Sequence, residues 1–284
     1  MSSDFLTDMA NSSRARVRVA RTARPDEQLL QLALATPPPP RLQLSNQGFD
    51  IIAEVKLRSP AMGALRDGTE DIAARVKGYA AAGAAAISVL TEPQRFDGSL
   101  QHLVQAVDAL GGKTPAMRKD FLVDPYQVME ARHVGAGGVL AILRMLPYDD
   151  TVALLTMATR LGLFVLLEAF DEADLAVAER LLATHQAAAI RAGAPLLVGI
   201  NCRDLVSLQV VPGRLEQMIA RLPRNVPRVA ESGLESPADA ARLAAAGYNM
   251  ALIGGALMKS TQPALLLSDM LATGRGAAVR AVIA

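Results

Sequence analysis

From Ile51 onward, short runs of consecutive apolar residues recur along the chain, separated by Ala-rich amphipathic stretches at spacings of roughly 20–35 residues. Eight runs stand out: Ile51–Val55, Ala85–Leu90, Pro115–Arg118, Gly138–Leu143, Phe164–Leu167, Leu196–Ile200, Arg228–Ala230 and Met250–Ile253. Most are apolar along their whole length instead of alternating, as parallel strands covered on both faces must be. Between them the pattern predicts helices over Asp71–Ala82, Pro125–Val134, Thr151–Leu161, Glu172–Leu182 and Pro237–Ala246. Asp124-Pro125 and Ser236-Pro237 each offer an N-cap with proline in the first turn, and Gly83, Gly135, Gly162 and Gly247 follow helical stretches where a left-handed cap is wanted. Strand then helix, with eight strands in all, predicts an α/β fold of the closed (β/α)8 TIM-barrel type. An open doubly wound sheet is the rival, but no Gly-x-Gly-x-x-Gly follows a strand.

Ahead of the first run, residues 5–35 read as helical with Arg-rich faces, and Pro37–Pro40 then removes amide donors and stops any helix. The division expected is an N-terminal helical extension over 1–47 and a barrel over 48–284. A length of 284 residues suits this, because α/β barrels commonly occupy about 200–250 residues as one domain. With 51% hydrophobic residues, 4% aromatics and no Trp, the core must be aliphatic. Lys and Arg total 29 against 28 Asp and Glu, which leaves no global field for nucleic acid or an anionic membrane, so any phosphate selectivity is local. The single Cys202 excludes an internal disulfide framework and a cysteine-based zinc cluster, and fits a reducing compartment. No signal-peptide-length apolar stretch opens the chain, and later apolar segments are broken by charges and glycines. A soluble cytoplasmic protein is expected.

Strands that are otherwise apolar end in charged or amide residues: the first gives Glu54 and Lys56, the third Lys119, the fifth Glu168, the sixth Asn201 and Arg203, the seventh Glu231 and Ser232. In a barrel all these ends meet at the C-terminal face, where such folds place their chemistry. Any one of them alone reads as the first solvated residue after a strand; five strand ends together point to proton transfer, since carboxylates and amines in one desolvated mouth shift each other's pKa values. Glu231-Ser232-Gly233 after strand seven and Gly254-Gly255 after strand eight fit the phosphate site common in this fold, where small residues let backbone amides approach an anion. His102, His133 and His185 fall in helices without metal-ligand spacing, and no metal site is evident. Cys202 has no His partner in sequence and reads as barrel wall, and the methionines as adaptable core filler.

Several segments carry a closer likeness. Ile51-Ile-Ala-Glu-Val-Lys-Leu-Arg-Ser-Pro60, Ala84-Ala-Ala-Ile-Ser-Val-Leu-Thr91 with Phe96-Asp-Gly-Ser99, Arg118-Lys-Asp-Phe-Leu-Val-Asp-Pro-Tyr-Gln127, Gly199-Ile-Asn-Cys-Arg-Asp-Leu205 and Glu231-Ser-Gly233 resemble, in the same order, the indole-3-glycerol-phosphate synthase family. The resemblance runs from about Phe49 to Leu267, and the N-terminal helices match the family's extra segment capping the barrel. It implies an anilino-sugar phosphate substrate whose ring carbon is joined to the sugar ketone carbon with loss of carbon dioxide and water, and no cofactor. It implies Lys119 as general acid toward the ketone oxygen, Glu168 as base in dehydration, Asn201 aligning hydroxyls, and Lys56 paired with the substrate's carboxylate or phosphate. Glu54 orients Lys56 or moves a proton itself, a choice the sequence leaves open.

By the same resemblance Phe96, Phe121, Leu140, Leu205 and Leu252 embrace the aromatic ring, Arg203 orders the charged network, Ser59 and Glu231 belong to the substrate site, and Ser232, Gly233, Gly254 and Gly255 map to the phosphate and sugar end. The chain departs from the family at Ala61, within Ser59-Pro60-Ala61-Met62-Gly63, where a hydroxyl is usual; at Ala169-Phe170, where Val-His is usual; and at Gly255, where Ser or Glu is common. These changes bear on affinity and loop closure. The rivals are another phosphate-binding barrel such as the preceding isomerase, a non-catalytic barrel, and a paralogue making a secondary-metabolite indole. A monomer or weak dimer acting on a small molecule, without nucleic acid or membrane, completes the expectation. Taken alone at its strand end, Lys119 should be replaceable by Met without leaving a buried partner charged.

Overall fold

A computed structural model describes residues 5–61, 63–65, 70–205 and 207–283; Met62 of the first-strand loop lies outside the described residues. Eight strands form one closed barrel: β1 (Asp50–Val55), β2 (Ala86–Leu90), β3 (Ala116–Lys119), β4 (Gly138–Ile142), β5 (Phe164–Ala169), β6 (Leu196–Asn201), β7 (Arg228–Glu231) and β8 (Met250–Ile253). All neighbours are parallel, and β1 closes the ring by pairing Ile52 with Ala86 of β2 and with Leu252 of β8. The α/β barrel reading stands. Apolar runs are needed on both faces because Ile51, Ala53 and Val55 pack under the surrounding helices, while Ile52, Met117, Leu140, Leu166, Leu197 and Val229 fill the interior. The barrel is therefore a packed core, plugged below its C-terminal mouth.

The predicted boundaries shift where a physical reason exists. Lys119, Asn201 and Glu231 complete their strands instead of following them, since each sits in the ladder opposite a neighbouring strand residue: Leu90 with Lys119, Asn201 with Glu231. Ala85, Pro115 and Leu143 fall outside the strands. The N-terminal helical segment comprises α1 (Phe5–Ala23) and α2 (Asp26–Ala35), separated at Pro25, which lacks the amide a continuous helix would use. After these come α3 (Ile72–Ala81), α4 (Pro93–Phe96), α5 (Leu100–Leu110), α6 (Pro125–His133), α7 (Tyr148–Leu161), α8 (Glu172–Ala192), α9 (Arg214–Met218), α10 (Pro237–Ala246), α11 (Gly255–Lys259) and α12 (Pro263–Ile283). Helix α8 runs ten residues past its predicted end, through a largely exposed stretch whose weak apolar period hides it. The caps hold: Asp124 accepts from the Tyr126 amide, Ser236 and Asp239 form a capping box, and the four predicted glycine caps are left-handed.

Two helices fix the ends of the chain to the barrel. Helix α1 is fastened almost wholly to the segment after β3: Arg16 bonds Asp120, Arg21 bonds Asp124, Gln127 donates to Ser13 Oγ, and the Tyr126 hydroxyl donates to the carbonyls of Ala20 and Arg24. Its first turn places Leu6 and Met9 among the interior residues at the barrel mouth. At the other end of the chain, α12 anchors β1, with Arg275 donating to the Phe49 carbonyl at 3.0 Å and to Asp50 Oδ1 at 2.9 Å. No helix among the described residues is long and apolar enough to cross a membrane.

Two glycines of α12 separate helix propensity from packing. A Cβ at Gly274 would collide with the Phe49 ring, whereas one at Gly276 meets nothing within 4 Å. Gly276→Ala should stabilise the protein by about 1 kcal/mol through helix propensity. Gly274→Ala should instead destabilise it by about 1–3 kcal/mol, because overpacking outweighs the same gain. Denaturant unfolding of the two variants checks the opposite signs.

Candidate active site

The strands carry an apolar residue facing inward and, two positions further on, a polar one: Ile52 then Glu54, Met117 then Lys119, Leu166 then Glu168, Val229 then Glu231. The apolar layer is the plug, and the layer above it is the floor of a cavity at the C-terminal mouth. Every residue that the sequence assigns to the site lines this one cavity: Glu54, Lys56, Ser59, Phe96, Lys119, Phe121, Leu140, Glu168, Asn201, Arg203, Leu205, Glu231, Ser232, Gly233, Leu252, Gly254 and Gly255. The structure adds residues that local periodicity did not reveal. Phe5 and Leu6 reach the cavity from α1, and Leu208 and Val210 from the loop after β6. Phe5 packs edge-on to Phe121 at 5.8 Å between centroids, and Phe96 lies 6.0 Å from the same ring, forming an aromatic lip.

Lys119 is the centre of the floor. Its Nζ donates to Glu168 Oε2 at 3.2 Å and lies 3.5 Å from Glu231 Oε2. Burial works against its charge, but the carboxylates of Glu168, Glu231 and Glu54 outweigh burial and raise its pKa above the ordinary lysine value, so it is held as an ammonium. Lys56 Nζ donates to Glu54 Oε1 at 2.6 Å, which gives Glu54 an orienting contact with Lys56. Glu231 is buried and its carboxyl is pushed well above the usual range, first by burial and then by the neighbouring Glu168 charge. The expectation that Lys119→Met would leave no buried partner charged is thus overturned: Glu168, 3% exposed, has its hydrogen bond from Lys119.

Two missing side chains make this crowding possible. A Cβ at Gly199 of β6 would collide with Glu231 Oε1, and one at Gly254 with Glu54 Oε1. Gly254 therefore has a reason to be glycine other than anion approach. Asn201 Oδ1 accepts from Ser232 Oγ and from the Arg203 amide, both at 2.9 Å. Ser232 and Gly233 take successive positive φ of 69° and 74°, and the Cys202 thiol, its pKa raised by burial, donates to the Ser232 carbonyl at 3.2 Å. Arg203 donates at 2.5 Å to the Leu208 carbonyl of its own loop, so its guanidinium tethers that loop. Of the departures from the family pattern, Ala61 and Gly255 line the cavity; Phe170 does not, and instead lies 4.6 Å beneath the Arg144 guanidinium. The three histidines lie on α5, α6 and α8, outside the cavity lining.

Behind Lys119, Asp120 locks the strand end. Arg16 of α1 reaches it with two bonds of 2.8 Å, Thr91 Oγ1 and the Phe121 amide each donate to it at 2.8 Å, and the Thr91 amide donates to the Lys119 carbonyl at 3.0 Å. The general position of the ammonium is thereby set by main chain as well as by carboxylates.

Comparison with known proteins bears on what this cavity does. A family model described as indole-3-glycerol phosphate synthase matches residues 6–270. Curated relatives named indole-3-glycerol phosphate synthase include one from Salinibacter ruber, 41% identical over 232 residues that span 82% of this chain and 81% of the relative. Another, from a Nocardioides species, is 42% identical over 237 residues spanning 82% of this chain and 85% of that protein. Among solved structures the chain is similar to 3-hexulose-6-phosphate synthase from Salmonella typhimurium, with a TM-score of 0.58 and 13% identity over 80% of this chain and 99% of that one. It is also similar to a thiamine phosphate pyrophosphorylase from Pyrococcus furiosus, with a TM-score of 0.54 and 13% identity over 82% and 98%. At such identities the structural likeness establishes the barrel fold alone.

The Asp120 cluster generates a pH prediction. Burial alone would raise this carboxyl, but the Arg16 and Arg118 guanidinium groups and Thr91 bring it down to about 2 from the usual 3.8. A depressed folded-state pKa contributes stability that is complete above pH 3.8 and is lost as the pH falls through 2. The shift corresponds to about 2 kcal/mol. Asp120→Asn should therefore be less stable than the parent at neutral pH by about that much or more, with the gap shrinking in acid. Urea unfolding at a series of pH values measures it, and a gap that persists undiminished in acid would rule this origin out.

Proposed function

The chain belongs to the indole-3-glycerol phosphate synthase family, and on that basis we propose how its side chains divide the work. It is a decarboxylating lyase that closes the indole ring of 1-(2-carboxyphenylamino)-1-deoxyribulose 5-phosphate, releasing carbon dioxide and water, in tryptophan biosynthesis. The observation that carries the assignment of roles is the Lys119 ammonium, hydrogen-bonded to Glu168 in a cavity whose rim is aromatic. Bonding of the ring carbon to the ketone carbon places developing negative charge on the ketone oxygen. Lys119 is the general acid for that oxygen, offsetting its charge and delivering a proton in one motion. Glu168, already in contact with Lys119, is the base for the dehydration that follows.

The remaining side chains bind and align. Phe96, Phe121, Leu140, Leu205 and Leu252 take the anilino ring, with Phe5 of α1 closing above it. Lys56, oriented by Glu54, pairs with a substrate anion, and Asn201 with Ser232 aligns hydroxyls through their 2.9 Å bond. Ser59 and Arg203 complete the rim, and Glu231 lies at the floor. Gly233, Gly254 and Gly255 take the phosphate, supported by their place on the same cavity wall and by the left-handed turn at Ser232-Gly233. The near-equal charge totals, 29 and 28, offer no global field for nucleic acid or an anionic membrane and so support a small-molecule substrate; a cytoplasmic monomer or weak dimer belongs to the same proposal. A non-catalytic barrel or a secondary-metabolite paralogue is not favoured, because relatives across most of the chain carry the one activity name.

Incubation of the purified protein with the carboxyphenylamino-deoxyribulose phosphate should produce indole fluorescence; binding without product would sink the catalytic reading. Lys119→Met should lose about 10²–10⁴-fold or more in single-turnover rate. Its thermal stability should also fall, because the buried Glu168 loses its cation, and circular dichroism checks that the variant remains folded. A folded, substrate-binding Lys119→Met with near-normal chemistry would pass the general-acid role to Lys56. Ala61→Ser, restoring a hydroxyl to the cavity rim, should change KM more than kcat, since a loop hydroxyl contributes uniform binding. A large kcat change at constant KM counts against that placement of Ala61.

A further inference from the structure

The floor of the cavity holds more acidic than basic groups. Among the described residues there, three carboxyls, Glu54, Glu168 and Glu231, meet two ammonium groups, Lys56 and Lys119. Lys56 is engaged by Glu54 at 2.6 Å, and Lys119 hydrogen-bonds Glu168 at 3.2 Å. Glu231 is left with Lys119 at 3.5 Å, receives no hydrogen bond from any N–H or O–H donor, and meets carboxyl to carboxyl with Glu168, although the residue is 1% exposed. Arg203 does not supply the missing cation, since its guanidinium goes to the Leu208 carbonyl. A buried carboxyl that meets another carboxylate and has no donor of its own holds a proton in preference to a charge. The titratable groups around it are Lys119 on β3, Glu168 on β5, Glu54 on β1 and the Cys202 thiol after β6.

The reaction has a use for that proton; this step rests on the function proposed above. Ring closure moves the ketone π pair onto oxygen, which takes a first proton from Lys119. Breaking the bond to the carboxylate returns its electron pair to the ring and releases carbon dioxide. The hydroxyl then leaves as water with a second proton, while the sugar-derived carbon beside the nitrogen gives one proton to Glu168. Two protons are donated and one is recovered, and the shortfall equals the carboxylate charge that departs as neutral carbon dioxide. We propose that Glu231 rests as a neutral carboxylic acid and serves as the proton store that recharges Lys119 between ring closure and dehydration. The Glu231 O–H bond breaks, an N–H bond forms on the Lys119 amine, and solvent reprotonates the carboxylate once product has left. Glu231 thus acts through Lys119 and not on the substrate.

Infrared difference spectra of the full-length protein at neutral pH, wild type minus Glu231→Gln, should show the carbonyl stretch of a protonated carboxyl. This readout needs no turnover, so it separates failure of the proposal from failure of the functional reading, which a wild type inert toward substrate would reveal. Gln keeps the shape and the hydrogen-bond donor but cannot release a proton. Glu231→Gln should therefore release carbon dioxide at close to the wild-type single-turnover rate yet form indole about 10²-fold more slowly, increasingly so as pH rises, with Glu231→Asp recovering part of the loss. Absence of the band, or equal slowing of carbon dioxide release and indole formation, overturns the proposal. If Glu231→Gln does not fold, Glu231→Asp decides by the same tests: a displaced band and slowing confined to indole formation support the store, and an unmoved band or equal slowing removes it.

Discussion

A cation kept inside a protein must be held there by anions, and the active end of this barrel is organised around that requirement at Lys119. Its ammonium sits on a strand interior, above a plug of Met117, Leu140 and Leu166, where water is scarce. Glu168 and Glu231 reach it from two other strands, and Glu54 faces it from a third. Each comes from the layer one step above the apolar plug, so the same period of two that packs the core also delivers the groups proposed to react. The chemistry is therefore not an ornament on a finished scaffold. It is the next course of side chains in the same packing.

Space for that course is created by omission. With Glu231, Glu54 and Lys119 converging, some inward positions must be empty, and Gly199 and Gly254 are those positions. The glycine pair after β8 thus answers to the carboxylate beside it as well as to any anion above it. On the other side, Asp120 and Thr91 hold the main chain of β3, so the carboxylates can tune Lys119 without having to locate it.

The fold was legible because parallel strands buried on both faces leave uninterrupted apolar runs, and because Asp124, Ser236 and the terminal glycines announce helix ends. The floor was legible because a Lys or Glu closing such a run has few other reasons to be there. What stayed hidden depends on contacts between distant segments. Nothing near Phe5 signals that its ring meets Phe121, and nothing near Arg16 signals Asp120, 104 residues away. The proximity of Glu231 to Lys119 is likewise a property of the closed ring: in sequence Glu231 belongs with Ser232 and Gly233, in space with Lys119 and Glu168.

The attachment of α1 has a consequence for how such barrels can be recombined. Its side-chain bonds to Asp120, Asp124, Tyr126 and Gln127 make the extension and the turn after β3 one interlocking part, though the chain between them runs through three barrel strands. A chimera joined in the stretch between α2 and β1 would look harmless, since no regular element is cut. It would nonetheless set an arginine from one parent against a turn from another. The natural unit of exchange is discontinuous: the first two dozen residues travel with the turn they grip.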